Sequence, residues 1–391
     1  GFKILVLAKN ITQSAVATEF TSLADAAGAD WRTAEAFTTR LAPASRRMLL
    51  KYDYGGLVVE LYRRPLLTED GDLTATRDYN TYVRAFDDGA ARKFALVRDH
   101  LLPGRIVDIG CCTGSLLAEM TRDDRLRESD FFGIEVARPL YAECVHRKEQ
   151  GAFASDHVFF HHRDFAAEPV FRPSSVNTFT TFSLTHEVES YGGRAALERF
   201  LELLFEQTAI GGRWINVDVV GPEAAEDTVL LWLNEEDGRA ERGAPPNPPA
   251  EREACRHYLA ELSTRARFDR FTRDFRRGQG ERIPFEEVTR GGRQLLRLTL
   301  RAACEFLSKK DYTDNWLSEM HETFCFWSFE EWRSAVQRHG FRVHAASHAF
   351  ANPWILEHRY QPAAALYYDE PGELRPRPWP STNMLLVADK V

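Results

Sequence analysis

Three acidic side chains follow short apolar runs, each where a strand is expected to end. Asp108 closes "RIVD", Glu135 closes "FFGIE", and Asp164 follows "VFFHHR". The carboxyl ends of neighbouring parallel strands meet at one edge of a sheet, where open α/β sheets bind ligands. An acid there can accept a hydrogen bond from an amino group, and an acid about 20 residues beyond a glycine turn can take both hydroxyls of a ribose. The three acids therefore indicate a ligand that contains a nucleoside.

The loop after Asp108, "GCCTG", is a tight turn that precedes an amphipathic helix. Gly110 and Gly114 allow the backbone to approach a ligand closely. A dinucleotide loop has the spacing GxGxxG, which seats a pyrophosphate, but Cys112 stands at the second glycine here. The loop favours a ligand with a positive amino group and argues against a NAD-dependent oxidoreductase. Neither Cys111 nor Cys112 has a neighbouring base in the sequence, so neither is predicted to be a nucleophile.

With these motifs the chain resembles the class I S-adenosylmethionine-dependent methyltransferases, in particular those that act on small molecules and natural products. The family pattern is D/E-x-G-x-G-x-G, then an acid after the second strand, then an acid with an apolar neighbour after the third. The resemblance covers roughly residues 75–222 and 325–391 and implies S-adenosyl-L-methionine as the cofactor. It assigns to the donor site Asp108, Gly110, Cys111 and Gly114 near the methionine, Glu135 and Val136 at the ribose, Asp164 and Phe165 at the adenine, Phe182 and Ser183 through their backbone, and Tyr82 over the methionine.

The stretch "SLTHEVESY" follows the fourth apolar run, where the family opens its methyl-transfer cleft. A sulfonium makes its methyl group electrophilic, so the protein mainly aligns donor and acceptor. A hydroxyl acceptor also needs a base, and histidine is the commonest one. We predict that His186 is this base and that Glu187 orients it or faces the acceptor. The alternatives are that His186 only shapes the cleft and that Glu187 only stabilises a helix N-terminus. No metal site is predicted.

The elements that must position these residues alternate between strands and helices from Arg105 onward. This pattern predicts an α/β fold, and the resemblance makes it a Rossmann-like, seven-stranded, mostly parallel sheet with helices on both faces. In the family the closing strand, here within "STNMLLVADKV", pairs antiparallel at the sheet edge. We expect a mostly helical N-terminal region (1–100), a core (101–222 and 323–391), and an inserted helical, Arg-rich cap (223–322).

The cap carries a local excess of positive charge. Between Glu251 and Arg301 there are 13 arginines and eight acids. The pattern is typical of a solvated helix face. The alternative is a lid that meets an anionic substrate or a carrier protein.

The totals restrict the remaining function classes. The 391 residues are 44% hydrophobic and have a formal net charge of −8, which gives no general attraction to nucleic acid or to a membrane surface. No apolar run reaches the roughly 20 residues that span a bilayer, and the six cysteines include no CxxC pair. We expect a cytoplasmic enzyme that methylates an oxygen of a small molecule, such as a natural-product or sugar-like intermediate. An RNA or DNA methyltransferase, a non-catalytic module, a homodimer, and a fused or carrier partner domain remain open alternatives.

Overall fold

The computed structural model describes residues 89–241, 249 and 252–391. Tyr82 and the predictions for residues 1–88 therefore lie outside the described residues. The described part begins with helical residues 89–97, followed by a 3-10 turn, Arg98–His100.

The main sheet places its strands in the order β10-β12-β5-β4-β1-β2-β3, and a two-residue strand, β9, also pairs with β12. Strands β1 to β5 are mutually parallel, whereas β12 runs antiparallel to β5, β10 and β9. The bounds are β1 Arg105–Ile109, β2 Asp130–Glu135, β3 Val158–His162, β4 Val176–Phe182, β5 Thr208–Val219, β9 Arg342–Val343, β10 His348–Phe350 and β12 Asn383–Asp389.

The predicted Rossmann-like, mostly parallel sheet is confirmed, with two differences. The sheet has eight strands rather than seven, because β9 forms a short additional pair. The closing strand is antiparallel as expected, but it lies one position inside the edge because β10 covers its other side.

The fifth strand also begins earlier than its apolar pattern indicates. The helix before it ends at Gln207, and β5 starts at Thr208. The β-branched residues Thr208 and Ile210 and the glycines that follow them are poor helix formers, which accounts for the early change.

Helices cover both faces of the main sheet. Their bounds are α1 Ser115–Met120, α2 Arg138–Glu149, α3 Thr185–Gln207 with a break at Gly193, and α8 Phe329–Arg338. Side chains alternate along each strand, so Leu386 packs with α3 and α8 while Val387 packs with α1 and α2. The sheet therefore separates two apolar layers. The carboxyl ends of its strands lie between these layers, and polar side chains are located there.

The insertion between β5 and α8 has a core of its own. It contains the helices α4 Arg252–Glu261, α5 Thr264–Asp274, α6 Leu300–Lys309 and α7 Trp316–Glu319, and the strands β6 Thr228–Leu233, β7 Glu286–Arg290 and β8 Arg293–Thr299. Its largest buried side chains include Phe268, Phe271, Phe306 and Trp316.

The prediction of a purely helical insertion differs from the structure. The strands of the insertion form a four-stranded antiparallel sheet in the order β11-β6-β8-β7. Strand β11, Ala364–Tyr368, comes from beyond the predicted end of the insertion at residue 322. The sequence runs that form these strands are short. Their pairing partners are far away in the chain, and the periodicity of a single segment carries no information about distant partners.

Among the described residues, no helix is both long enough and apolar enough to cross a membrane. The remaining short elements are helix α9, Pro353–Ile355, the π-helical segment Leu356–Tyr360, and the 3-10 turns Asp124–Leu126, Arg277–Gln279 and Thr313–Asn315.

Candidate functional site

Asp108 lies at the carboxyl end of β1 and is buried, with 4% of its surface exposed. The Thr180 hydroxyl on β4 donates a hydrogen bond to its Oδ1 at 2.8 Å. Burial raises the pKa of Asp108 to about 7, although the bond from Thr180 and the nearby ammonium of Lys93 act in the opposite direction. The carboxylate is therefore short of positive charge and suits a cationic group of a ligand.

The loop after Asp108 turns through three residues with positive φ, namely Gly110 (70°), Cys112 (53°) and Gly114 (75°). Glycine adopts this conformation readily, whereas a residue with a Cβ is strained there by roughly 1–2 kcal/mol. Cys112 therefore has the backbone conformation expected of the glycine that it replaces. Gly114 ends the turn and precedes the first residue of α1.

Glu135 ends β2 and holds this loop in place. Its Oε2 accepts a hydrogen bond from the Cys112 backbone N–H at 2.9 Å, and its Oε1 accepts one from the Ala137 N–H at 2.8 Å. Burial raises the pKa of Glu135 to about 7, against the effect of these bonds. A carboxylate has about four acceptor positions, so Glu135 can still accept from a ligand hydroxyl.

The cysteines of the loop are buried and face a third cysteine, Cys144, on α2. The Cys144 thiol donates a hydrogen bond to the Cys112 carbonyl at 3.0 Å, and its sulfur lies 3.9 Å from that of Cys111. Burial raises the pKa of the Cys111 and Cys112 thiols well above the usual range. Both are therefore neutral thiols at physiological pH, and neither has the character of a nucleophile.

The third acid, Asp164, lies two residues beyond the end of β3. Its Oδ1 accepts a hydrogen bond from the Ala166 N–H at 2.9 Å, and burial raises its pKa. Val136 is nearby in this edge of the sheet, where its carbonyl oxygen lies 2.8 Å from Nε2 of His162.

Phe165 does not present a face to a ligand, contrary to the expectation that it stacks on an adenine. Only 2% of its surface is exposed, and its ring contacts Phe179 and Phe200 edge-on in the core beneath the sheet. The Phe165 side chain packs on the apolar side of the turn, and Asp164 lies on the polar side.

Phe182 and Ser183 end β4 beside the loop. Ser183 is exposed, has a φ of 50°, and donates its N–H to the Val217 carbonyl at 2.9 Å. Phe182 is buried, and the Lys93 ammonium lies 5.6 Å from the centre of its ring.

Lys93, on the helical residues 89–97, is a site residue that the sequence reasoning missed. Arg92 was the basic residue considered there for the donor carboxylate, but Arg92 is exposed while Lys93 is half-buried near Asp108. Burial lowers the pKa of Lys93 to about 8, against the attraction of Asp108.

His186 lies in the first turn of α3 and is buried, with 5% of its surface exposed. Its Nδ1 lies 2.6 Å from Oδ1 of Asp218 on β5. The other oxygen of Asp218, Oδ2, accepts hydrogen bonds from the Thr185 N–H at 2.8 Å and the Thr185 hydroxyl at 2.7 Å. Asp218 therefore caps the N-terminus of α3 from a neighbouring strand and orients the imidazole at the same time.

On its other side, His186 faces the insertion. Its Nε2 lies 3.5 Å from Oε2 of Glu322, which is in the segment between α7 and α8, and the Tyr191 hydroxyl donates to Oε1 of Glu322 at 3.0 Å. The ligand atoms of His186, Glu187 and Glu322 lie within 4.8 Å of one another. We call these three residues the junction cluster, because they lie where the insertion returns to the main sheet.

The pKa of His186 decides whether it can act as a base. Burial opposes the charge on the ring, but the carboxylates of Asp218 and Glu322 outweigh it and raise the pKa well above the usual value. These carboxylates therefore favour the protonated ring as long as no other cation binds beside it. A general base must be unprotonated, so this arrangement opposes the role of His186 as a base, which stays a prediction.

Two members of this arrangement, Asp218 and Glu322, were not found from the sequence. The sequence does contain a signal for Asp218. An acid within an apolar run such as "WINVDVV" is expected to be buried and therefore to need a partner. Glu322 belongs to "HETFCFWSF", which was interpreted as core packing because of its aromatic residues. Phe324, Phe326 and Trp327 are indeed buried.

The arginines of the insertion are largely paired. Among the described residues, eight of the 13 form ion pairs with carboxylates, namely Arg256, Arg265, Arg267, Arg270, Arg276, Arg290, Arg297 and Arg301. Among these arginines, Arg267, Arg290 and Arg301 pair with acids outside residues 251–301, which offsets part of the local excess of positive charge.

The sequence matches no protein-family model and no curated protein. Solved structures with a similar arrangement include a geranyl diphosphate C-methyltransferase from Streptomyces coelicolor, in complex with Mg²⁺, geranyl diphosphate and S-adenosyl-L-homocysteine (11% identity, 85% of this chain and 93% of that chain covered, TM-score 0.39). Others are S-adenosylmethionine-dependent methyltransferases from Mesorhizobium loti (14% identity, 77% and 99% covered, TM-score 0.39) and Clostridium acetobutylicum (9% identity, 80% and 98% covered, TM-score 0.37).

Likenesses this distant carry no argument, and the fold is established by the sheet itself. Five parallel strands in the order 3-2-1-4-5 form a doubly wound sheet, and the last strand of the chain runs antiparallel beside the fifth. The glycine turn follows the first of these strands, at the point where the strand order reverses. The chain has the fold of the class I S-adenosylmethionine-dependent methyltransferases.

Proposed function

We propose that the protein is an S-adenosylmethionine-dependent methyltransferase that binds its donor at the carboxyl ends of β1, β2 and β3. One observation carries this proposal: Asp108 and Glu135 are buried acids that end adjacent strands on either side of a loop with positive φ. Each has a raised pKa because burial disfavours the charged form of the carboxyl. Such a pair suits a ligand that brings an amino group and ribose hydroxyls.

The roles of the donor residues follow from their positions. Asp108 accepts from the amino group of the methionine moiety, Glu135 accepts from the ribose hydroxyls, and Asp164 faces the adenine amine. The loop from Gly110 to Gly114 approaches the methionine through its backbone. Phe165 has no contact with the donor in this assignment, because its ring belongs to the core.

The acceptor side is the junction cluster, which adjoins the donor acids. Glu187 is close enough to Glu135 to raise the pKa of that carboxyl. We assign His186 as a positioning residue that holds Glu322 across the junction, and Glu187 as a group that faces the acceptor. The acceptor is a hydroxylated small molecule. Its oxygen loses a proton to water and forms a bond to the methyl carbon as the carbon–sulfur bond breaks, and the sulfur keeps the electron pair as S-adenosylhomocysteine.

Calorimetric titration of the full chain with S-adenosylhomocysteine tests the donor site. We expect binding to be about 10 to 100 times weaker in Asp108→Asn and Glu135→Gln, since each removes a hydrogen bond that involves a charged group. Asp130→Asn is the matched control, because Asp130 lies at the opposite end of the same strand as Glu135. Unchanged affinity in both site variants, or no binding by the wild-type chain, contradicts the proposal.

A further inference from the structure

The junction cluster combines one imidazole and two carboxylates from two parts of the fold. His186 and Glu187 come from the first turn of α3, and Glu322 comes from the segment that leaves the insertion. His186 and Glu322 are buried, and Glu187 is half-buried. Imidazole nitrogen and carboxylate oxygen are the ligands that divalent ions such as Zn²⁺, Fe²⁺ and Mn²⁺ take in proteins.

The distances in the cluster fit a shared ion better than a direct hydrogen bond. The 3.5 Å between Nε2 of His186 and Oε2 of Glu322 is long for a hydrogen bond. Two ligands with bonds of about 2.0–2.2 Å to one tetrahedral ion lie about 3.3–3.6 Å apart. All the ligand atoms of the cluster lie within 4.8 Å of one another, so the Glu187 side chain, which is half-buried, has to move toward the other two to share an ion with them.

Each buried ligand is held from behind by a second group. Asp218 lies 2.6 Å from Nδ1 of His186 and leaves Nε2 facing the cluster, and the Tyr191 hydroxyl donates to Oε1 of Glu322 and leaves Oε2 facing it. A carboxylate behind a histidine is the usual partner that fixes the ring of a metal-binding imidazole. This support is an observation independent of the cluster itself, because it involves atoms that do not face the cluster.

The segment that carries Glu322 is anchored as well. The Lys309 ammonium on α6 donates to the Glu322 carbonyl at 2.6 Å, and the Thr323 N–H donates to the Ser190 hydroxyl on α3 at 2.7 Å. These bonds fasten the backbone on both sides of the Glu322 side chain. The backbone that carries Glu322 is therefore held in place before any ion binds.

We infer that His186, Glu187 and Glu322 bind a divalent transition-metal ion beside the donor site, and that the ion replaces the proton on Nε2 of His186, which passes to solvent. Three protein ligands leave coordination positions open, as in metal sites that also bind a substrate. An ion there supplies positive charge that lowers the pKa of a coordinated hydroxyl. The acceptor is then an alcohol, phenol or enol that can reach the ion through its oxygen. This substrate role rests on the proposed methyl transfer, whereas ion binding does not.

Titration of the full chain with Mn²⁺ alone tests the site. Binding is measured as the loss of the free-ion signal in electron paramagnetic resonance. Mn²⁺ is chosen because thiolates bind it poorly, so the six cysteines do not compete. We expect one bound ion per chain, with binding weakened at least about tenfold in Glu187→Gln and Glu322→Gln. Asp218→Asn should weaken it by about 10 to 100 times, as is typical of the group behind a metal-binding histidine.

The matched control is His339→Gln. His339 forms another histidine–carboxylate pair, with its Nε2 2.6 Å from Oε2 of Glu198, outside the junction cluster. Its loss should leave Mn²⁺ binding unchanged. The inference is overturned if the wild-type chain binds no Mn²⁺, or if Glu187→Gln and Glu322→Gln both bind it as tightly as the wild type. Glu187 is half-buried, so its variant is expected to fold even if the buried Glu322→Gln variant does not.

Titrating the same samples with S-adenosylhomocysteine separates the two proposals. Binding of S-adenosylhomocysteine without Mn²⁺ binding overturns the metal site and leaves the proposed function in place. Binding of Mn²⁺ without S-adenosylhomocysteine supports the metal site and contradicts the proposed function.

Discussion

The donor end of the main sheet and the junction with the insertion both bury carboxylates, but their pKa values shift in opposite directions. Asp108 and Glu135 at the donor end have pKa values raised to about 7. Burial also opposes the charge of Asp218 at the junction, yet its pKa is lowered because His186 and Thr185 outweigh that effect. All three residues are buried, so burial does not explain the difference.

The difference comes from the charge of the partners. At the donor end the closest hydrogen-bond donors are neutral, namely the Thr180 hydroxyl and two backbone N–H groups. At the junction the partner is an imidazolium, and a helix N-terminus adds further positive potential. The acids at the donor end therefore accept hydrogen bonds from neutral groups, while Asp218 at the junction contacts a charged partner.

Asp218→Asn should have the largest effect on stability. Removing one partner of a buried ion pair costs about 3–5 kcal/mol, so we expect the free energy of unfolding to fall by at least about 3 kcal/mol. Asp108→Asn should change it by less than about 1 kcal/mol, because this acid has no strong countercharge to lose. Urea denaturation of both variants at pH 8, with a chelator present, measures the contrast. Equal losses would contradict it.

The affinity for S-adenosylhomocysteine should rise about 100-fold between pH 6 and pH 8, because the ligand needs both Asp108 and Glu135 ionised and each has a pKa of about 7. In the free protein, the folded state binds more protons than the unfolded chain between about pH 4 and pH 7. The contribution of these acids to the free energy of unfolding therefore falls as pH rises through that range. Calorimetry at three pH values measures the affinity. A flat profile in the wild type would refute the expectation, and Asp108→Asn should flatten it in part.

Lys93→Met should produce a smaller change at the donor end. The Lys93 ammonium lowers the pKa of Asp108, so its removal raises that pKa and delays ionisation. We expect the rise in S-adenosylhomocysteine affinity to move to higher pH, with about threefold weaker binding at pH 7. Arg92→Met is the control, because Arg92 is the exposed neighbour. If both variants shift the profile equally, Lys93 has no specific relation to Asp108.

Cys112→Gly should have the smallest effect. Glycine relieves a strain of about 1 kcal/mol at a φ of 53°, and the loss of the small buried thiol offsets part of this gain. We expect the free energy of unfolding to change by less than about 1 kcal/mol, and donor affinity to stay within about threefold. Urea denaturation and calorimetry measure the two quantities. Complete loss of donor binding would show that the cysteine side chain acts on the ligand.

The sequence was sufficient to predict the main sheet because its signals are local. Each parallel strand is an apolar run in the sequence. Asp108 and Glu135 follow two of these runs, and the structure places both at strand ends. Phe165 shows the limit of this reasoning. A residue next to an acid at a strand end can turn to either side, and a change of one position moves a side chain from the ligand to the core.

The junction could not be predicted in the same way, because its members are far apart in the chain. Asp218 meets His186 across neighbouring strands, and Glu322 reaches them only after the whole insertion has folded. The four-stranded sheet of the insertion could not be predicted for the same reason, because β6 pairs with β11, which lies far from it in the sequence. Periodicity describes the faces of single elements and not the partners that those faces meet.

The pairing of Leu231 on β6 with Leu366 on β11 has a consequence for how the chain folds. During synthesis β6, β7 and β8 emerge well before β11, so the three-stranded intermediate exposes the backbone groups of β6 along an open edge. The segments that form β9 and β10 of the main sheet also precede β11 in the chain, and their partner β12 follows it. The insertion is thereby interlaced with the main sheet, and a clean excision of residues 223–322 would leave β11 as an orphan strand prone to aggregation.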